Sequence, residues 1–73
     1  MKKYLIIYLI INAKDITKTL SINRMIYAKS FKNAYKQANI DKEIILKQYL
    51  EIIKEKEKND IYVSLIDILN KKI

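Results

Sequence analysis

Residues 4–11 read YLIIYLII, eight apolar residues in a row behind Met1, Lys2 and Lys3. Successive side chains of a strand point to opposite faces, so an extended run of this kind has two apolar faces. One face holds Tyr4, Ile6, Tyr8 and Ile10, and the other holds Leu5, Ile7, Leu9 and Ile11. A strand without a polar face is typical of a position covered on both sides. We therefore expect residues 4–11 to form the central strand of a sheet.

A turn and a second strand follow. Residues 12–15, NAKD, contain Asn12 and Asp15, whose side chains bond to nearby backbone and replace glycine in turns. From Ile16 the chain alternates between apolar and polar residues as far as Ala28, with many β-branched side chains. Alternation with period two indicates a half-buried strand. The pattern strand, Asn/Asp turn, strand predicts a β-hairpin.

A helix is predicted directly after the hairpin. Ser30 is a favoured residue for capping a helix N-terminus. The apolar residues that follow recur at intervals of three and four, which is the spacing of one helix face. They are Phe31, Ala34, Tyr35 and Ala38.

The helical pattern continues to about residue 58 and leaves two possibilities open. A second apolar stripe runs from Ile45 to Ile53, nearly in phase with the first, so a single helix over 31–58 is possible. A helix of 28 residues is about 42 Å long, however, and exceeds the length of strands of nine or ten residues. We therefore favour a break or kink at residues 39–41.

Residues 61–69 carry conflicting signals. Their apolar positions fit a helical period, whereas their β-branched content and the need of the first strand for a second neighbour favour a strand. We assign them to a strand beside the first. The predicted fold is α+β with the order ββα(α)β, in one domain that spans residues 1–73.

The alternative is an all-α fold with a helix-turn-helix. Residues 16–29, ITKTLSINRMIYAK, resemble the bihelical core of small DNA-binding regulators. In that resemblance Ile16, Leu20 and Ile22 are buried, and Asn23 and Arg24 begin the reading helix. It implies a DNA-binding regulator in which residues 4–11 form a buried helix.

The composition excludes most catalytic chemistry. The chain has no Cys and no His, so ordinary zinc sites, imidazole acid/base catalysis and His-activated nucleophiles are ruled out. It also has no Gly, so no phosphate-binding glycine loop or dinucleotide fingerprint is present. We predict a protein that is not an enzyme, with no catalytic residues, no metal, no cofactor and no small-molecule substrate.

The net charge of +7 favours an anionic partner, although the high content of Ile, Lys, Asn and Tyr is also typical of an AT-rich genome. Basic side chains interleaved with aromatic ones can hold single-stranded RNA or DNA. A single-strand-binding module is therefore a further alternative function. The candidate contacts with a partner or a nucleic acid are Arg24, Tyr27, Lys29, Lys32, Tyr35 and Lys36.

A sheet with helices on one side leaves its other side open, and an exposed apolar face of that size is typical of an interface. We therefore expect a homodimer or a complex with a partner protein. The candidate self-association residues are Tyr4, Ile6, Tyr8 and Ile10.

The short apolar hairpin, the stretch Ala28-Lys29-Ser30-Phe31 that leads into a helix, and the AT-rich composition resemble the small accessory proteins of phages and mobile elements. Anti-CRISPR and other anti-defence inhibitors belong to this class. The resemblance implies stoichiometric inhibition of a host protein or of its nucleic-acid channel. The apolar run is too short to span a bilayer. We expect a cytoplasmic location, in an infected or host cell if the protein is phage-derived, and no membrane partner.

Overall fold

The computed structural model describes residues 1–53 and 60–71. Its central strand is β1, Lys2–Asn12, flanked by β2, Leu20–Ala28, and β3, Ile61–Lys71. Both neighbours run antiparallel to β1, and the strand order is β2-β1-β3. With α1, Phe31–Ile53, the order of elements is ββαβ. The predicted α+β fold, the hairpin and the strand at residues 61–69 are confirmed.

The helix packs on the sheet face formed by the even-numbered side chains of β1. From Tyr4 to Asn12 these side chains are at most 7 % exposed, and Ala28, Ile61 and Val63 extend the core onto the two outer strands. From the helix side the core receives Ala34, Ala38 and Ile45. Among the described residues, the buried apolar ones are Tyr4, Ile6, Tyr8, Ile10, Ala28, Ala34, Ala38, Ile45, Ile61 and Val63.

The hairpin turn is built on Asn12 and Asp15. The Asn12 Oδ1 atom accepts hydrogen bonds from the backbone N–H of Lys14, at 3.0 Å, and of Asp15, at 3.2 Å. Asp15 in turn caps a 3-10 helix, Ile16–Lys18, by accepting from the Thr17 N–H at 3.1 Å. The Asx chemistry predicted for this turn is confirmed. β2 begins at Leu20, four residues later than the start of the alternating pattern.

Ser30 precedes α1 and caps it. Its Oγ atom accepts from the Asn33 N–H at 3.3 Å, and its backbone carbonyl accepts from the Ala34 N–H at 3.0 Å. Ala34 and Ala38 then face the sheet with no exposed surface. Two residues without side chains beyond Cβ allow the helix to lie close to β1.

The predicted break at residues 39–41 is wrong, because α1 is continuous from Phe31 to Ile53. The 23 helical residues are about 34 Å long, and the eleven residues of β1 are about 36 Å long. The strands are longer than the hydrophobic pattern indicates, so the helix matches their length without a break. The predicted charged end of the helix, residues 54–58, lies outside the described residues.

The helix-turn-helix alternative is also wrong. Residues 20–28 form the strand β2, and the only helical turn in the 16–29 stretch is the 3-10 helix at Ile16–Lys18. The β-branched residues and the pairing partner supplied by β1 override the helical spacing of Ile16 and Leu20.

The face assigned to self-association must be corrected. Tyr4, Ile6, Tyr8 and Ile10 lie beneath α1 and are at most 2 % exposed, so they are not available to a second copy. The sequence defines two apolar faces of β1 but does not determine which one the helix covers. The remaining face carries Leu5, Ile7, Leu9 and Ile11, which are only partly buried.

Candidate interaction surfaces

A polar cluster joins the helix to the sheet within the core. The Tyr8 hydroxyl lies 3.2 Å from the Ala38 carbonyl oxygen and 3.1 Å from Asp41 Oδ2. On β2, Arg24 Nε lies 3.7 Å from the same Asp41 oxygen. Tyr8 is 0 % exposed. Its hydroxyl therefore serves to fix the helix on the sheet and is not accessible to a substrate.

The environment of Tyr8 raises the pKa of its hydroxyl. Burial raises the pKa of Tyr8 well above the ordinary tyrosine value of 10.0, and the hydrogen bond to Asp41 and the negative charge of Asp41 add to the shift. The positive charge of Arg24 acts in the opposite direction. Sequence reasoning missed this cluster, because Tyr8, Arg24 and Asp41 are 16 to 33 positions apart and meet only through the packing of α1 on the sheet.

The carboxylates of the described residues are dispersed. No group of three or more side chains of the metal-ligating types occurs among the residues that the structure describes. Asp41 is engaged with Tyr8 and Arg24, and Asp60 forms an ion pair with Lys14 at 3.5 Å. Asp15 accepts from the Thr17 hydroxyl and backbone, and the hydroxyl contact is the main cause that lowers the pKa of Asp15. Within residues 1–53 and 60–71, no helix is long and apolar enough to cross a membrane.

The six predicted contact residues are divided among four locations. Lys29, Lys32 and Lys36 are exposed at the start of α1 and just before it. Tyr35 is on the flank of α1 that faces β3. Arg24 is on the helix side of β2, in contact with Asp41, whereas Tyr27 pairs with Lys3 on the sheet face opposite to α1. Tyr27 and Tyr35 therefore cannot stack on neighbouring bases of one short strand.

An open groove of about 470 Å³ lies between α1 and β3, and we call it the aromatic groove. Two aromatic side chains of α1 line it and remain about half exposed, namely Phe31 at 56 % and Tyr35 at 50 %. Tyr62 borders the groove on β3, but its pairing with Ile11 places its side chain on the sheet face opposite to α1. The Phe31 ring is held by an edge-to-face contact with the buried Tyr4 ring, with centroids 6.4 Å apart and planes at 70°. Lys42 and Asn39 complete the helix wall, and residues 62–68 of β3 form the other.

The groove runs along the free edge of β3. In the described part of the chain, β3 pairs with β1 on one side only. A register shift opposite Ile7 and Tyr8 interrupts this edge, and Asp67 Oδ1 accepts from the Ile68 N–H at 2.8 Å. These features are typical of an edge that is protected from open-ended strand pairing.

Comparison with protein-family models, with curated proteins and with solved structures gives no match. The functional argument therefore depends on the surfaces described above.

Proposed function

We propose that the protein is a non-enzymatic binding protein that acts by stoichiometric inhibition, in the manner of the small phage accessory proteins that it resembles. Its target in this proposal is a protein with an acidic surface, which it contacts through the aromatic groove and the neighbouring lysines. The observation that carries the proposal is the aromatic groove itself. Two half-exposed aromatic rings on one open surface, those of Phe31 and Tyr35, are typical anchors of a protein interface.

The charges around the groove support an acidic partner. Lys42 lines the groove, and the exposed Lys32 follows the groove residue Phe31 in the chain, with the exposed Lys29 just before α1. The first turn of α1 has no acidic residue, and Lys32 occupies it instead. A cation near a helix N-terminus is unfavourable by about 0.3–1 kcal/mol. A basic surface in this unfavourable position is consistent with a role in binding.

The composition of the groove favours a protein over a nucleic acid as the occupant. Its sheet wall is a strand edge with Leu65, Ile66 and Ile68, and its helix wall contributes a single lysine, Lys42. Binding of a phosphate backbone depends on several cationic contacts, with arginine preferred for forked contacts. The chain has one arginine, and Arg24 is paired with Asp41 on the β2 side.

The experiment is an affinity purification from extracts of the source cells, followed by reconstitution of the captured protein with the purified chain. We expect a fixed stoichiometry and a loss of binding of about tenfold or more in Tyr35→Ala. The matched control is Ile40→Ala, since Ile40 is also exposed on α1, at 64 %, but lies on the flank of the helix that faces β2.

Charge reversal gives a second test that separates binding from folding. Lys32→Glu places an anion in the first turn of α1, so we expect a more stable fold together with weaker partner binding. Lys47→Glu, at an exposed position further along the helix, should leave binding within about twofold. Binding of free single-stranded or duplex nucleic acid with no protein captured would overturn the proposal, as would capture that is unaffected by Tyr35→Ala and Lys32→Glu.

A further inference from the structure

The sheet face opposite to α1 is covered by no described element, and we call it the open face. Its middle row is Leu5, Ile7, Leu9 and Ile11 on β1, all partly buried by the neighbouring strands. Larger apolar side chains flank this row and are 37–53 % exposed. On β2 they are Met25 and Tyr27, and on β3 they are Tyr62 and Leu69.

We propose that a second copy of this chain covers the open face, so that two sheets pack face to face with the two helices outside. This interface is separate from the aromatic groove and from the function proposed for it, although Tyr62 borders both. Three observations favour a second copy, namely the low charge of the face, its area and the interrupted row of backbone groups along the β3 edge.

The open face is nearly free of charge in a strongly basic chain. The register places three ionisable residues on this face, Lys3, Asp67 and Lys71, so their formal charges sum to +1 in a chain of net charge +7. The positions on β2 are occupied by Ser21, Asn23, Met25 and Tyr27. Two chains of net charge +7 repel each other through most of their surfaces. This face allows contact with the least repulsion, whereas an acidic partner would find its complement on α1.

The area is sufficient for a specific dimer. A sheet of three strands and eleven residues covers roughly 500 Å² on one face, from a strand spacing of about 4.8 Å and a rise of about 3.4 Å per residue. Two such faces bury about 1,000 Å² or more, above the roughly 800 Å² of fortuitous contacts and close to the size of small specific interfaces. We therefore expect a dimer of micromolar affinity.

Edge pairing through β3 is a weaker route to a dimer. The register shift and the bond from the Ile68 N–H to Asp67 disrupt the row of backbone groups that a fourth strand would need. Face packing needs no free backbone groups. It also covers the second apolar face of β1, which no part of the described monomer covers.

The test is the mass in solution, measured by sedimentation equilibrium up to about 200 µM, a range suited to micromolar affinity. We expect a concentration-dependent rise from 8.7 kDa to twice that mass. Ile7→Lys places a charge at the centre of the face and should weaken dimerisation by about tenfold or more. The matched control, Ile44→Lys, alters an exposed isoleucine of α1 away from the face and should remain dimeric. Far-UV circular dichroism shows whether each variant is folded.

A second measurement does not depend on the folding of a charged variant. The chain has no cysteine, so Asn23→Cys introduces one thiol on the open face beside Ile7, at a position that is already polar. Its reaction with a thiol reagent should slow about tenfold as the protein is concentrated, whereas the thiol of Lys47→Cys on α1 should react at a constant rate. A wild-type chain that is monomeric over this range, or a dimer that leaves both the Ile7→Lys mass and the Asn23→Cys rate unchanged, would overturn the proposal.

Discussion

Tyr8 connects the sheet to the helix through one hydroxyl, whose single proton lies within hydrogen-bond distance of two acceptors, the Ala38 carbonyl oxygen and Asp41 Oδ2. Tyr8→Phe keeps the ring in the core and removes this donor, leaving the Ala38 carbonyl and the Asp41 carboxylate without it. We expect the free energy of unfolding in urea to fall by about 1–3 kcal/mol, since one acceptor is charged. The control is Tyr35→Phe, whose ring is half exposed, and which should change stability by less than about 0.5 kcal/mol. An equal effect of both substitutions would contradict the role assigned to Tyr8.

The raised pKa of Tyr8 predicts a stability that depends on pH in the alkaline range. The folded state favours the neutral phenol, so above pH 10 the folded chain retains a proton that the unfolded chain releases. The contribution of Tyr8 is therefore constant below pH 10 and is lost as the pH rises towards its folded pKa. Urea unfolding at about pH 8 and about pH 11 should show a larger loss in the wild type than in Tyr8→Phe. Parallel losses would show that other groups control the alkaline response.

Hydrogen bonds between a side chain and the backbone close to it in the chain could be predicted from the sequence, whereas contacts between residues far apart in the chain could not. Asn12 and Ser30 act on backbone groups two to four positions away, so their roles follow from the sequence alone. The contact between Tyr8 and Asp41 joins residues 33 positions apart and depends on how α1 is placed on the sheet. Arg24 was predicted to contact a partner, and the structure shows that it forms an ion pair with Asp41.

The helix owes its close approach to the sheet to Ala34 and Ala38. Ala38 has no exposed surface and its carbonyl oxygen accepts from Tyr8, so a larger side chain at this position must push α1 away from β1. We expect Ala38→Leu to lower the thermal unfolding temperature and to destabilise the fold by about 1–3 kcal/mol or more. Gln37→Leu adds the same side chain one position earlier, where it is exposed, and should be close to neutral. A stable Ala38→Leu variant would show that the layers are not closely packed here.

At the scale of elements, the sequence determined the type of each segment better than its length. The strand assignment of residues 61–69 was correct although their apolar spacing fitted a helix, because β1 needs a second neighbour to cover its other edge. The expected helix break failed for a related reason. The length of α1 is set by the strands on which it packs, and β1 extends beyond its apolar run to Lys2 and Asn12.

At the scale of the whole molecule, the two proposed surfaces differ in charge. The lysines beside the aromatic groove lie on and before α1, and the open face is nearly neutral. The alternation of side chains assigns the residues of β1 to two faces, but both faces are apolar. Which face the helix covers therefore depends on tertiary packing. The volume beneath α1 accommodates Tyr4 and Tyr8, and the aliphatic row remains outside.

This separation predicts opposite salt dependences for the two interfaces. Raising NaCl from about 20 to about 300 mM shortens the screening length from roughly 20 Å to roughly 6 Å. Screening removes repulsion between two chains of net charge +7, so we expect the dimer to become several-fold tighter. The same change removes attraction between the α1 lysines and an acidic partner, so partner binding should weaken. Sedimentation equilibrium and titration of the captured partner at both salt concentrations measure the two effects.

Lys32→Glu provides the internal control for this pair of measurements. It lowers the net charge of each chain by two at a position on α1, distant in the fold from the centre of the open face. The salt dependence of both interfaces should therefore become shallower, while Ile7→Lys should alter the dimer alone. A wild-type dimer that dissociates as salt is added would mean that ionic contacts hold the copies together. In that case apolar packing of the open face could not be what holds the dimer together, because such packing does not weaken with ionic strength.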